Sequence, residues 1–244
     1  MTATPDPMIE TAKVDRPRKM LFFATGGLVV YLLVAISILL SPTRTPLWQL
    51  IDDWWRSVIG VAPADGIHEQ FLPMFFQEYP VAHLWILGIV VLLILGRWRS
   101  SLFFASSMLV ILVLSHVVKN IVLRNRPADD PALGLYGPID PGVDAGSFPS
   151  GHAMGVAVIT LAVLAVIPAG YVALRRVWGA FAALSMIGMV WQRTLINAHW
   201  LSDTLFGLFA GACGVVLLWR LFHPWLQSDY ARPIWFLKGR TKAA

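Results

Sequence analysis

Three short segments of this chain contain the residue types needed to bind an anion and react with it. They are residues 119–127 (KNIVLRNRP), 148–152 (FPSGH) and 193–203 (RTLINAHWLSD). Together they offer three cations to hold an anion, one histidine to attack it and a second histidine to protonate a leaving group. Each segment borders an apolar stretch. Charge is expensive beside a membrane span, so these ionisable side chains are functional candidates.

The first segment places Lys119 seven residues before Arg126, which Pro127 follows. A lysine is a compact point charge, whereas an arginine presents a planar fork that grips two phosphate oxygens. Pro127 ends any helix and restricts the residue before it, which helps to aim the guanidinium. The alternative is an ordinary pair of basic residues beside a span. Such residues collect on the cytoplasmic side, whereas the distribution of lysine and arginine along the chain places Lys119 and Arg126 outside.

The second segment reads as a tight turn that opens onto an apolar helix. Amide groups at a helix N-terminus point at an anion, and the hydroxyl of Ser150 can add a donor beside Gly151. His152 would then lie at the mouth of the site. The alternative interpretation is a helix cap with an interfacial histidine.

The third segment has Arg193 at the end of one apolar stretch and His199 at the start of the next. Asp203 follows His199 by four residues, and positions i and i+4 share one face of a helix. A carboxylate that reaches the imidazole fixes its tautomer and leaves the other nitrogen free to attack. The alternative is a structural histidine–aspartate pair at the interface.

The composition predicts an integral membrane protein. The chain is 57% hydrophobic and 14% charged, with a mean hydropathy of +0.66, whereas soluble domains are about a quarter charged. The net charge of +5 is explained by basic residues that flank spans, so we do not expect nucleic-acid binding. A single cysteine, Cys213, excludes an internal disulfide and a cysteine metal cluster.

The elements that position the three segments are predicted to be membrane helices in an all-α, polytopic fold. A span needs roughly 17–25 mainly apolar residues. Six segments qualify or nearly do: 21–40, 81–96, 101–118, 152–171, 177–196 and 204–222. We therefore divide the chain into a disordered cytoplasmic tail (1–20), a six-span domain (21–222) and a basic cytoplasmic tail (223–244).

The distribution of basic residues predicts the orientation. With both termini in the cytoplasm, 13 of the 19 lysines and arginines lie inside, which agrees with the positive-inside rule. All three segments then face the periplasm or the cell exterior. A retained first span without disulfides is typical of a bacterial inner (plasma) membrane protein.

The first outer loop contains two apolar stretches that predict interfacial helices. In one of them the apolar residues recur at helical spacing, with acidic and basic residues opposite; they are Leu47, Leu50, Ile51, Trp54 and Val58. The other contains Phe71, Met74, Phe75 and Phe76. Packing over the bundle and a lid for a lipid tail both remain open.

The three segments resemble the signature of the type 2 phosphatidic acid phosphatase (PAP2) superfamily, which reads K-x6-RP, then PSGH, then SR-x5-H-x3-D. The matching positions are Lys119 with Arg126 and Pro127, residues 149–152, and Arg193 with His199 and Asp203. The resemblance covers residues 119–203 and favours the integral-membrane branch. One position departs from it, because Gln192 stands where the family usually has serine, which puts that phosphate contact in question.

The resemblance implies a role for each residue. His199 is the nucleophile and forms a phospho-enzyme, Asp203 orients it, and His152 protonates the leaving oxygen. The phosphoryl group is held by side chains and amides from all three segments: Lys119, Arg126, Ser150, Gly151 and Arg193.

No cofactor or metal is expected, since these cations supply the charge. The four aspartates at 129, 130, 140 and 144 are scattered through a Gly/Pro-rich stretch, which favours a solvated loop over a metal site.

The expected activity is hydrolysis of a membrane lipid phosphate or diphosphate at the outer leaflet. Polyprenyl diphosphate, phosphatidylglycerophosphate and phosphatidic acid are the candidate substrates. A phosphotransferase with the same nucleophile is a second hypothesis, since only the acceptor differs. A lipid-phosphate carrier is a third, but a carrier has no need of the two histidines. A vanadate-dependent haloperoxidase shares the anion site, but those enzymes are typically soluble. Oligomeric state stays open.

Overall fold

A computed structural model describes residues 18–60, 80–127 and 145–230. Within these ranges the chain is helical and has no strand; Asn125 and Ala145 form one isolated antiparallel bridge. The helices are α1 (Arg18–Leu40), α2 (Gln49–Ile59), α3 (Pro80–Ile94), α4 (Trp98–Val122), α5 (Gly151–Val166), α6 (Val172–Leu195) and α7 (Leu201–Tyr230). The predicted all-α fold class is confirmed for this part of the chain.

Four helices, α1, α4, α6 and α7, are long and apolar enough to cross a membrane. α3 and α5 are apolar but shorter, at Trp85–Ile94 and Gly151–Val166. Large apolar side chains cover the outer surface of the bundle, among them Phe22, Leu33, Val177 and Leu184. A helix satisfies its own backbone hydrogen bonds, as a lipid environment requires. These features indicate a membrane protein, and six spans remains a prediction.

Several helix ends differ from the predicted span ends, and α6 begins at Val172 rather than near 177. α5 ends at Val166 rather than near 171, because Ile167 is extended before Pro168 and a residue that precedes proline disfavours the helical conformation. α7 continues past the predicted end at 222 to Tyr230, with Pro224 inside it. Residues 223–230 are therefore helical, while residues 1–17 and 231–244 of the predicted tails lie outside the described residues.

Helix α5 is the centre of the bundle. All eight residues from 153 to 160 are buried, and α4, α6 and α7 each pack against this helix. α1 packs on α7, and α3 packs on α4 through Trp85 and Phe104, whose ring centroids are 4.7 Å apart. The residues at the N-terminus of α5 are thus fixed from several sides.

Two glycines allow α7 to approach α5 closely. A Cβ atom on Gly207 would lie 2.6 Å from the carbonyl oxygen of Ser150, and one on Gly211 would lie 2.9 Å from that of Met154. Both distances are shorter than van der Waals contact. The close approach brings the start of α7 against the turn that begins α5.

Helix α4 departs from α-helical geometry near its C-terminal end. Residues Leu112–Val117 are π-helical, and the hydroxyl of Tyr31 donates to the Leu114 carbonyl at 2.5 Å. The Tyr31 ring also stacks on Phe148 at 5.7 Å. The helix then ends at Leu123, which adopts the left-handed conformation (φ 50°), uncommon for a branched residue. This turn directs residues 124–127 away from the helix axis.

Helix α2 has its apolar side facing outward. Its large apolar residues are mostly exposed, from 81% for Leu50 down to 55% for Ile51, whereas Asp52 is 1% exposed. Packing of the apolar side over the bundle is therefore not what is observed; that side is available to lipid, as expected of an interfacial helix. The second predicted stretch, 71–76, lies outside the described residues.

Gly207→Ala should destabilise the bundle. The added methyl group must displace the backbone at Ser150, and such overpacking typically costs about 1–3 kcal/mol. Thermal unfolding in detergent measures the effect, and Gly26→Ala is the matched control, because its Cβ would meet nothing within 4 Å. A Gly207→Ala protein as stable as the Gly26→Ala protein would show that the α5–α7 contact is not tight.

Candidate active site

The residues of the three segments meet at one end of the bundle, where four helix ends come together. Lys119 lies at the end of α4, and Arg126 follows in the adjacent loop. His152 is the second residue of α5, Arg193 is in the last turn of α6, and His199 precedes α7. A chain that crosses the bundle repeatedly brings these distant segments to a common end.

His199 is buried, with 3% of its surface exposed. Its Nδ1 lies 2.8 Å from the backbone oxygen of Ser147. A carbonyl oxygen only accepts hydrogen bonds, so Nδ1 carries the proton and Nε2 has the free lone pair. The backbone amide of His199 also donates to the Arg193 carbonyl at 3.2 Å. The imidazole is therefore held from one side, with the unprotonated nitrogen on the other.

Asp203 does not hydrogen-bond the His199 ring directly. The Nδ1–Oδ2 distance is 4.0 Å, longer than a hydrogen bond, so the contact inferred from i,i+4 spacing is indirect. Oδ2 instead accepts from the Ser147 hydroxyl at 2.5 Å and from the Trp200 amide at 3.1 Å. Ser147 thus stands between the two side chains: its hydroxyl binds the carboxylate and its carbonyl binds the imidazole.

Three predicted cations surround His199. Arg126 donates to the carbonyl of Ala198 at 3.1 Å, next to the histidine. The aliphatic part of Lys119 packs on Gly146, which adopts a left-handed conformation (φ 81°) and where a Cβ would lie 3.1 Å from the lysine Cγ. Arg193 is 5% exposed. All three are near enough to the imidazole for their charges to act on it.

Burial lowers the pKa of His199 well below its ordinary value of about 6.5. The positive charges of Lys119, Arg126 and Arg193 lower the pKa further, and His152 acts in the same direction. A depressed pKa means that the imidazole stays neutral as the pH falls through 6.5. The nitrogen that would attack an electrophile is therefore unprotonated at neutral pH.

The turn before α5 joins the start of α7 through the backbone. Ser150 donates its amide hydrogen to the Asp203 carbonyl at 3.0 Å. Its hydroxyl oxygen caps α5 by accepting from the Ala153 amide at 3.3 Å. The hydroxyl hydrogen is a further donor, and the Gly151 and His152 amides belong to the first turn, which has no intrahelical acceptors. This helix start suits an anion.

Arg124 and Asp52 are buried next to the site, and the sequence reasoning assigned neither of them a role there. Each is 1% exposed. Arg124 donates to Asp203 Oδ1 at 2.5 Å and to Asp52 Oδ2 at 2.8 Å. For Arg124 the sequence signal was the presence of a second arginine in the first segment. The periodicity of α2 does not indicate which residue Asp52 contacts. Ser147, also missed as a site residue, carries no signal beyond its place in the turn.

Gln192, the position that departs from the family signature, lies in the last turn of α6 and is buried. It precedes Arg193 and therefore stays within the site region.

In the described residues no group of three or more His, Cys, Asp or Glu side chains gathers as metal ligands would. The aspartates at 129, 130, 140 and 144 lie outside those residues.

The comparisons with known proteins bear on these residues. The family model of the PAP2 superfamily matches residues 100–227, which is more than half of the chain and includes all three segments. No curated protein and no solved structure matches the chain.

The imidazole of His199 should titrate at a pH well below 6.5. ¹⁵N NMR of histidine-labelled protein, with the His199 signals assigned from a His199→Gln sample, would follow the ring nitrogens against pH. Arg126→Gln should raise the midpoint because one positive neighbour is removed. Arg99→Gln, at the opposite end of α4, should leave it unchanged. A His199 midpoint at or above 6.5 in the unmodified protein would contradict the electrostatic description of the site.

Proposed function

The chain belongs to the PAP2 superfamily, and from that premise we propose that it is a membrane phosphatase that hydrolyses a lipid phosphate or diphosphate through a phosphohistidine at His199. One observation carries the proposal most directly. A buried imidazole, with Nδ1–H bonded to the Ser147 carbonyl, lies among three cations at one end of a bundle whose helices are apolar outside. A nucleophile and an anion site are thereby combined beside lipid.

The first step is attack on phosphorus. The lone pair of His199 Nε2 forms the N–P bond, and the P–O bond from that phosphorus to the lipid oxygen, or to the proximal phosphate of a lipid diphosphate, breaks. His152 gives its proton to the departing oxygen. Lys119, Arg126 and Arg193 face the charge on the equatorial phosphoryl oxygens, with the Ser150 hydroxyl and the Gly151 amide as further donors. Such preorganised electrostatic stabilisation is usually the largest catalytic contribution.

The second step is hydrolysis of the phosphohistidine. A water molecule attacks phosphorus, its proton passes to the now neutral His152, and the P–N bond breaks to release inorganic phosphate. His152 is thereby returned to its acid form. Throughout both steps the Nδ1–H donates to Ser147, whose hydroxyl is bound to Asp203. The carboxylate stabilises positive charge on the ring across 4.0 Å, without a direct hydrogen bond, while the Ser147 carbonyl accepts the Nδ1–H.

An apolar groove next to the site supports a substrate with a hydrocarbon chain. It encloses about 400 Å³ between α1, α2 and α7. Its walls include Trp48, Ile51, Leu205 and Phe206, and Asp52 and Ser202 also line it. A second cavity, of about 340 Å³, opens near the other end of α5, around Leu164 and Arg175, and has no connection with this chemistry.

The proposed substrates are polyprenyl diphosphate, phosphatidylglycerophosphate and phosphatidic acid, processed at the outer leaflet of a bacterial inner membrane. This location follows from the distribution of lysine and arginine, which favours cytoplasmic termini. Metal-independent turnover is part of the proposal, because three side-chain cations can do the charge work that Mg²⁺ does in other phosphoryl-transfer enzymes.

His199→Ala should reduce phosphate release by at least about 1000-fold, since removal of a catalytic nucleophile costs this much or more. The assay uses detergent-purified protein in EDTA with the three lipids and a soluble sugar phosphate. His116→Ala, on the exposed side of α4, is the matched control and should retain activity. Release from a lipid that persists in His199→Ala would overturn the nucleophile assignment. Lipid binding without release, but with phosphoryl transfer to an added lipid acceptor, would indicate a phosphotransferase.

A further inference from the structure

A continuous chain of buried polar groups runs from helix α2 to the nucleophile. It begins at Asp52, passes through Arg124 and Asp203, and ends at Ser147, which contacts His199. The successive hydrogen-bond distances are 2.8, 2.5, 2.5 and 2.8 Å. The family signature implies no role for two of its members, Asp52 and Arg124.

Asp52 fixes the start of α7. Its Oδ1 accepts from the backbone amide of Ser202 at 2.8 Å, and its Oδ2 accepts from the Ser202 hydroxyl at 2.7 Å. The first amides of a helix lack intrahelical acceptors, and a carboxylate there also complements the helix dipole. Asp52 therefore sets the position of the residue immediately before Asp203.

Arg124 holds two groups that flank the nucleophile. Its Nη1 donates to Asp203 Oδ1, and its backbone oxygen accepts from the Ser147 amide at 2.8 Å. Asp203 and Ser147 both lie on the Nδ1 side of His199. A displacement of Arg124 would accordingly move both supports of the imidazole together.

The carboxylates of Asp203 and Asp52 bind different nitrogens of the Arg124 guanidinium. Arg124 uses Nη1 for Asp203 and Nη2 for Asp52, and Nη2 also donates to Gln49 at 2.7 Å. A planar fork can bridge two carboxylates in this way, whereas an ammonium group cannot match the geometry. Without Asp52, the described charged and hydroxyl partners of the Arg124 guanidinium would be the Asp203 carboxylate and the Ser202 hydroxyl.

The orientation of α2 depends on the same contacts. Its apolar residues face outward, so burial of an apolar face does not hold this helix on the bundle. Its described contacts with the bundle include the Asp52 and Gln49 hydrogen bonds, a bond from Trp55 Nε1 to Thr194 Oγ1 at 3.0 Å, and the packing of Trp48 on Phe206. The polar connection thus links an interfacial helix to the catalytic end of α7.

We propose that Asp52 and Arg124 are positioning residues, through which interfacial helix α2 fixes Asp203 and Ser147 behind the nucleophile. The proposal rests on the phosphatase function proposed above. Neither residue is assigned contact with the phosphoryl group, so their loss should slow the chemical step and leave anion binding intact. Misplacement of a catalytic group by about 1 Å can cost about 100-fold in rate.

The test compares Asp52→Asn with Asp53→Asn in the full-length protein. Asp52→Asn preserves side-chain shape but removes the charge, and kcat should fall about 10- to 100-fold. Inhibition constants for orthophosphate and vanadate should stay within about twofold, because the anion-binding cations are unchanged. Asp53 is exposed and accepts a bond from Gln49; Asp53→Asn should match the unmodified protein. Arg124→Lys should reproduce the fall in kcat, since lysine lacks the fork.

A second measurement separates this proposal from the proposed function and from misfolding. ¹⁵N NMR should give His199 as a single Nδ1–H tautomer in the unmodified protein and as a mixture or a shifted signal in Asp52→Asn, with both proteins measured well below their melting temperatures so that each is folded. Unchanged kcat and unchanged His199 signals in Asp52→Asn would overturn the positioning role while the phosphatase function stands. If no lipid is hydrolysed by the unmodified protein, the proposed function fails, and the NMR comparison still decides the positioning role.

Discussion

Positive charge crowded around one buried imidazole is the constraint on which the rest of this structure depends. Lys119, Arg126 and Arg193 lie close enough to His199 to lower its pKa, in a site from which much of the water is excluded. Like charges repel more strongly as the dielectric constant falls. The three cations therefore repel one another, and under the proposed function a bound phosphoryl group would relieve that repulsion. Burial and the same charges lower the pKa of His199 and keep its imidazole neutral, as the proposed nucleophile requires.

The fold separates the three cations that act on His199 from a fourth, Arg124, that is paired with carboxylates. Arg124 is buried beside these residues, but two carboxylates balance its charge and make it an internal support. Because Asp203 is bound by Arg124 and Ser147, its charge acts on the imidazole at 4.0 Å rather than through a direct hydrogen bond. The close glycine contact between α5 and α7 then fixes the histidine and the turn at Ser150 relative to each other.

The sequence predicted the local features of the site well, because they depend on short spacings. The helix start at Ser150 followed from its turn residues. The i,i+4 argument for His199 and Asp203 was only partly right: the two side chains come within 4.0 Å, but His199 precedes α7 and the expected direct contact is absent. Ser147 between the two side chains could not be predicted, since it reaches them from a loop about fifty residues away along the chain. The same holds for Asp52 and Arg124, whose contact joins a surface helix to a loop. The outward orientation of α2 was also open, because amphipathic spacing gives two faces and does not say which one meets the protein.

The central claim is that His199 carries the phosphoryl group during turnover. The most direct measurement is to mix the protein with lipid labelled in its terminal phosphate, quench in alkali, which preserves phosphohistidine, and map the label by mass spectrometry of the peptides. The account predicts label on His199, formed and lost at rates compatible with turnover. Turnover without label on any histidine, or with label on His152 instead, would contradict it.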